Sequence, residues 1–309
     1  GTGAASNGIY RGVAPGAQII NVKCLNMFGQ GTTAAILKAI EWAVAMDVDI
    51  ISMSLGTSLG DPNDIISMAV EKAVKEGIVV VAAAGNGGPY YSSISSPGAA
   101  YSVITVGACD WKGGVASFSS RGPTLAWSPD PDVLAPGVDV AAPLAPNSYM
   151  ERVGKKLGTI IGDAYISLSG TSMSTPAVAG AVALLLQAFP ALRKNNPYAI
   201  RLALMETARS LGLNENIQGA GIIDVFEAYN FLEQNLKNSF LPVVKVLPSN
   251  IPTPPQIIRF PGDDLITTAI VISGTECDID IEISGNITNL NINMDKTVFT
   301  DSNGSAMIK

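Results

Sequence analysis

The sequence predicts an α/β fold with a mostly parallel sheet, followed by a partial β-sandwich. Three observations carry that expectation. Apolar strand-like runs alternate with helix-like runs through most of the chain. One of them, Ile78-Val79-Val80-Val81-Ala82-Ala83-Ala84, is apolar without a break, as suits a parallel strand covered on both faces. Beyond Asn238 prolines accumulate, and the pattern then turns to period-two alternation.

In chain order, Ala17-Gln18-Ile19-Ile20-Asn21-Val22-Lys23-Cys24 reads as a strand after the turn Pro15-Gly16. Thr32 or Thr33 can cap a helix to about Met46, with Ile36, Ile40, Ala43 and Val44 on one face. Asp49 to Gly56 is a second strand. Asp61 is expected to cap the next helix with Pro62 at its first position, its stripe formed by Ile66, Val70, Ala73 and Val74 and its end by Gly77. The run Ile78–Ala84 follows and ends in Gly85-Asn86-Gly87-Gly88. Strand, helix, strand, helix, strand is a right-handed parallel crossover series, and such sheets bind ligands beyond the carboxyl ends of their strands. Further strands are expected over Tyr101–Ala108 and Val133–Pro136, and Pro143–Gly162 reads as a polar loop or hairpin. Ile166-Ser167-Leu168 leads into an all-round apolar helix over Ala177–Phe189 that should be buried. Two more helices are expected, about Pro197–Ser210 and Asp224–Leu236.

The domain division read this way is residues 1–237, a proline-rich connector over 238–262, and β structure over 263–309. In Asp278-Ile279-Asp280-Ile281-Glu282-Ile283 the isoleucines are expected to face a core and the acids water. Alternate acids on one strand do not by themselves wrap a calcium ion. A β-sandwich needs about 100 residues, more than Asn238–Lys309 offers, so a cut at the C-terminus is expected. Asn286-Ile287-Thr288 and Asn303-Gly304-Ser305 fit the glycosylation acceptor pattern.

With 309 residues, 47% hydrophobic and 15% charged, the chain can bury a large core. Its net charge of −7 and lack of any Lys/Arg run disfavour nucleic acid as a partner. Three scattered cysteines make neither a disulfide framework nor a zinc site; Cys24 and Cys109 are expected to be small buried hydrophobes. No apolar run is long enough for a membrane span. The start, Gly1 to Gly8, reads as the middle of a loop, so the N-terminus is expected to be a cut and the lack of a signal peptide is uninformative about secretion. The chain contains no histidine, so chemistry that needs a histidine base cannot be completed within it.

The stretch that carries chemistry is Gly170-Thr171-Ser172-Met173-Ser174-Thr175-Pro176. Ser172 would sit at a first helical turn, where unpaired N–H groups and the helix dipole stabilise negative charge. Pro176 is expected close enough to the helix start for its missing N–H to cost little. By itself the motif reads better as an ordinary helix cap.

Context decides between them. The serine motif, the strand end Ala83-Ala84-Gly85-Asn86 and the strand end Ser54-Leu55-Gly56 together resemble the subtilisin-like serine peptidases. Supporting matches are Arg11-Gly12-Val13-Ala14-Pro15-Gly16-Ala17, Phe118-Ser119-Ser120-Arg121-Gly122-Pro123 and Leu134-Ala135-Pro136-Gly137, all in the family's order over about residues 1–231. The resemblance implies a three-layer α/β/α fold, a serine endopeptidase acting on polypeptide substrates, and an extracellular or cell-surface location. It makes Ser172 the nucleophile and Asn86 the oxyanion-hole side chain, paired with the Ser172 backbone N–H. It makes Ser54, Leu55 and Gly56, with Ala83, Ala84 and Gly85, the backbone walls that hold an extended substrate. Small residues there let a substrate strand lie close. No cofactor is required for this chemistry; structural calcium fits the family but is not located. Ala177 stands where the family usually has a non-catalytic histidine. The catalytic Asp and His have no match and, from the family order Asp, His, Ser, are expected before residue 1. Two other readings compete: a non-catalytic peptide-binding or scaffold protein, and an adhesion or sugar-binding protein whose function lies in its C-terminal part.

Overall fold

The computed structural model describes residues 1–237 and, further along, only strand segments between residues 243 and 308. A four-stranded parallel sheet is the frame. Its strands are β1 (Ile50–Met53), β2 (Val79–Ala83), β3 (Ile104–Cys109) and β4 (Val133–Pro136), in spatial order β1-β2-β3-β4. Helices α1 (Thr33–Ala45) and α2 (Ile65–Lys75) cover one face. Helices α4 (Thr171–Ala188), α5 (Pro197–Glu206) and α7 (Val225–Lys237) cover the other.

The unbroken apolar run of β2 is explained by this sandwich. Val79 and Val81 join the cluster with Val178, Val182, Leu185, Ile200 and Leu232. Val80 and Ala82, pointing the opposite way, join Ile36, Ile40, Ile66, Val70 and Val74. Period-two geometry sends alternate residues to opposite faces, and both faces are dry. The stripes expected on α1 and α2 are the ones buried, apart from Val44, which is only partly so.

A smaller antiparallel sheet, β5-β7-β6, is built from β5 (Val140–Pro143), β6 (Ile160–Ile161) and β7 (Tyr165–Leu168). It delivers the chain into α4. Between β5 and β6 lies α3 (Tyr149–Leu157), capped by Ser148 and closed by Gly158 at φ 70°. This helix corrects the expected polar loop or hairpin over 143–162. Its apolar residues are spaced among Arg152, Lys155 and Lys156, so the stretch reads as polar on average. A short α6 (Glu215–Gln218) precedes α7.

Three further expectations are corrected. Residues 17–24 form no strand: Ile19 is 75% exposed, and β1, the strand at that side of the sheet, pairs only with β2. The run stands away from the open edge of β1, so no ladder pairs its backbone and its N–H and C=O groups are left to solvent. Cys24 is accordingly half-buried in a loop, whereas Cys109 is buried at the end of β3. The α2 cap is Asp64, whose Oδ1 accepts from the N–H groups of Ile66 and Ser67. Asp61 instead forms a turn, accepting from Asn63 N–H.

Among the described residues one helix, α4, is long and apolar enough to cross a membrane by length and composition. The sequence predicts this helix only over Ala177–Phe189; it begins six residues earlier, at Thr171. Packed on β1 to β4, α4 is the core helix.

Beyond residue 237 the strands pair antiparallel: 243–247 with 280–284, 256–259 with 268–271, and 298–300 with 306–308. The facing of Ile279, Ile281 and Ile283, the environment of Cys277 and the two glycosylation patterns lie outside the described residues.

Candidate active site

The site is assembled where the carboxyl ends of β1 and β2 meet the N-terminus of α4. Ser172 is the second residue of that helix, whose preceding residue Gly170 provides no side-chain cap. The first-turn N–H groups are therefore left to other acceptors. One comes from β2: Asn86 Oδ1 accepts from Thr171 N–H at 2.9 Å and lies 3.1 Å from Thr171 Oγ1. This fixes the amide orientation. A backbone N–H can only donate, so the oxygen of Asn86 must face it, and the Nδ2 of this exposed residue has no hydrogen-bond partner among the described residues. Thr171, itself buried, also receives the Gly85 N–H on its Oγ1 at 3.3 Å. Thr171 ties the end of β2 to the helix start, a role hidden in the sequence next to a more conspicuous serine.

The second tie comes from β1. Ser54 Oγ donates to the Ser172 carbonyl at 2.8 Å, and Ser172 Oγ lies 3.4 Å from the Ser54 carbonyl. The first bond explains Pro176. Pro176 lies inside α4 rather than at its edge, and its missing N–H is the one that would have bonded the carbonyl four residues back, that of Ser172. The Ser54 hydroxyl takes that place. The proline is tolerated because its orphaned acceptor is used to lock strand to helix, not because it lies near the helix end.

Gly85, at φ 110°, is in a backbone region that side chains rarely adopt, and a Cβ there would come within 2.8 Å of Ser120 Oγ and 3.0 Å of Ser95 Oγ. Gly56 is closer still to Ser95: a Cβ would lie 2.5 Å from its Oγ. The two glycine segments thus flank Ser95, a residue the sequence reading did not single out. Ser120 Oγ accepts from Gly87 N–H at 2.9 Å and holds the loop that carries Asn86.

The two walls differ. Ala83 and Ala84 are buried, and Ala84 spends its N–H on Val106 O and its carbonyl on Ser95 N–H. That wall acts by packing. In the other, the N–H and C=O groups of Leu55 and Gly56 have no hydrogen-bond partner among the described residues, and Ser54 and Gly56 are exposed. Only this wall offers backbone for an extended ligand to pair with.

With this arrangement in place the comparisons are decisive. A profile described as the Subtilase family matches residues 1–221. The chain belongs to the subtilase family. It is 42% identical over 242 residues to the serine protease AprX of Bacillus subtilis (strain 168), covering 72% of this chain and 54% of that relative. It is 41% identical over 216 residues to subtilisin DY of Bacillus licheniformis, covering 69% of each. The matched part therefore spans between about half and two thirds of these relatives. The self-cleaved protease domain of PatA is a structural neighbour with a TM-score of 0.58 and 28% identity, covering 72% of this chain and 77% of that one. Subtilases are serine peptidases, and the sequence-based expectation of a subtilisin-like α/β fold stands.

Proposed function

We propose that the protein of which these residues form a part is a serine endopeptidase acting on polypeptides, with Ser172 as nucleophile and Asn86 and the Ser172 N–H as its oxyanion hole. The observation that carries the reading is the Asn86 amide, whose oxygen is held by Thr171, the residue before Ser172 at a helix N-terminus, and whose Nδ2 has no partner among the described residues. Charge that develops on the attacked carbonyl oxygen would meet a side-chain donor, a backbone donor and the positive end of α4. An extended substrate pairs with Ser54–Gly56, and the packed wall Ala83–Gly85 shapes the slot for the residue whose carbonyl is attacked. Removing a proton from Ser172 Oγ requires a base. None of the 309 residues is histidine, so the base comes from a histidine, with its orienting Asp, outside this sequence. The proposed chemistry needs no cofactor. The division into a peptidase part over 1–237, a connector and a β domain, and an extracellular or cell-surface location, belong to the same proposal.

A fluorophosphonate probe tests it. Ser172 in these 309 residues should label very slowly, and in a longer product of the same gene that supplies a histidine it should label faster by up to about a million-fold, the size of the loss when a subtilisin is deprived of its base. Equal labelling would refute the missing base. The absence of histidine favours a second reading, a peptide-binding scaffold; a longer product that also lacks histidine and does not label would support it.

A further inference from the structure

Among the described residues asparagine stands directly before glycine twice, at Asn7-Gly8 and at Asn86-Gly87. Asparagine is chemically labile, and most so before glycine, whose nitrogen has no Cβ beside it to hinder attack on the preceding carboxamide. In that reaction the Gly87 nitrogen loses its proton to a solvent base and bonds to Asn86 Cγ. The Cγ–Nδ2 bond breaks, and ammonia leaves with a proton from water. Water then opens the cyclic imide to aspartate or, through its other carbonyl, to isoaspartate. No electrons are exchanged, and water is the only co-reactant.

Both reacting groups of Asn86-Gly87 are held. Gly87 N–H donates to Ser120 Oγ at 2.9 Å. Ser120 is fully buried and is itself anchored by its N–H on Gly85 O at 2.9 Å, so it cannot follow the nitrogen outward. Asn86 Oδ1 accepts Thr171 N–H at 2.9 Å and lies 3.1 Å from Thr171 Oγ1. For attack the nitrogen must turn onto Cγ and give up Ser120. Asn7 is held less. Gly8 N–H donates to Gly3 O at 2.9 Å, but the carboxamide of this exposed residue has no hydrogen-bond partner among the described residues.

The surroundings of Asn86 favour the reaction once it begins. Negative charge gathers on Oδ1 in the tetrahedral step, where the Thr171 N–H and the positive end of α4 already lie. The aspartate product can keep the Thr171 bond, and its charge is stabilised at the same helix end. Residues 86 and 87 are both exposed to water. What withholds the reaction is the grip on the nitrogen.

We infer that Asn86-Gly87 is a self-modification site, a deamidation held off by Ser120. Release of Gly87 N–H turns the amide into a carboxylate. On the reading of Asn86 as oxyanion donor given above, this removes the donor and puts charge in its place, so the modification ends activity. The modification itself does not depend on that reading.

The test incubates the 309-residue chain at mildly alkaline pH and follows aspartate and isoaspartate at positions 7 and 86 by chromatography and mass spectrometry of its peptides. Asn86 should convert about tenfold or more slowly in the folded chain than in guanidinium chloride, as expected for two neutral hydrogen bonds, and Asn7 should slow less. Ser120→Ala should speed Asn86 about three- to tenfold, the effect of one such bond, and leave Asn7 unchanged. Adding Gly87→Ala, whose Cβ would lie 3.1 Å from Ser93 Cβ, should slow Asn86 again by hindering the nitrogen. Amide exchange of β3 in the same samples reports whether each variant is folded. If Ser120→Ala unfolds the chain, Ser120→Cys, a weaker acceptor of similar size, takes its place and should give an intermediate rate. Equal Asn86 rates in folded and unfolded chain, or a folded Ser120 variant that converts no faster, overturns the inference. Conversion of Asn86 with no loss of turnover in a histidine-containing form of the protein refutes the oxyanion role of Asn86 instead and leaves the deamidation site standing.

Discussion

The two edges of the parallel sheet are finished in different ways. At β4 the edge is closed. Leu134 donates to Gly221 O at 2.7 Å and accepts from Ile223 N–H at 3.0 Å, and Ala220 N–H bonds Asp132 O. Beneath that closure Asp132, 3% exposed, holds Arg201 from α5 with both carboxylate oxygens and also accepts Thr105 N–H. At β1 no strand is paired on the outside, and the apolar run that would suit such a place, residues 17–24, is exposed. The segment before it does touch the core: a Cβ on Gly180 of α4 would come within 2.7 Å of Val13 Cβ. Unpaired strand edges are sites for added chain. The closed edge is tied to α5 and to the segment before α7; the open edge keeps its backbone groups unpaired.

The widest gap between the edges should appear in amide hydrogen exchange. Protection in β3 and β4 should approach the global limit, several orders of magnitude beyond residues 17–24, which should exchange almost as free chain. Comparable protection at both would break the contrast. Next in size is Asp132→Ala. It leaves the Arg201 guanidinium buried without its partner and should cost about 3–5 kcal/mol in denaturant unfolding. Asn86→Ala, at the site between the edges, should lower turnover about 100- to 1,000-fold in a histidine-containing form of the protein, while the unfolding midpoint moves little.

A smaller effect concerns Asp130, buried beside Asp132. Desolvation first, and then the Asp132 charge, raise its pKa well above the ordinary carboxylate value of 3.8. A raised folded-state pKa favours the protonated form in the native state. Its contribution is therefore fully present below the unfolded pKa and is lost as pH rises through the elevated folded value. Unfolding free energy should decline from acid toward alkaline pH, and Asp130→Asn should flatten that part of the profile. An unchanged slope would remove Asp130 as its source. The smallest effect should be Ile19→Ser on the open edge, within about 0.5 kcal/mol in this chain, because an exposed side chain loses no burial.

The same contrast separates what was legible in the residues from what was not. The stripes of α1 and α2 and the double-faced run of β2 could be read directly, since burial imposes its period on local sequence. Residues 17–24 have the period of a strand and are none, because a strand also needs a neighbour. Asp61 and Asp64 are both plausible caps, and only the path of the chain selects Asp64. The polar average of 143–162 concealed α3, which sits against Ile160 and Ile166 through Gly154, its one buried residue.

For the site, the sequence by itself supplied the candidates, Ser172, Asn86 and the segments Ser54–Gly56 and Ala83–Gly85, through short motifs that resemble those of the family. It also determined the absence of histidine. Tertiary structure decided which groups lock them together. Thr171 holds the oxygen of the Asn86 amide, and Ser54 satisfies the carbonyl that Pro176 orphans; these bonds span 85 and 118 residues, and no local pattern encodes a partner that far away. It decided, too, that only one wall keeps free backbone, since hydrogen bonds already spent inside the sheet are visible only once the strands are paired.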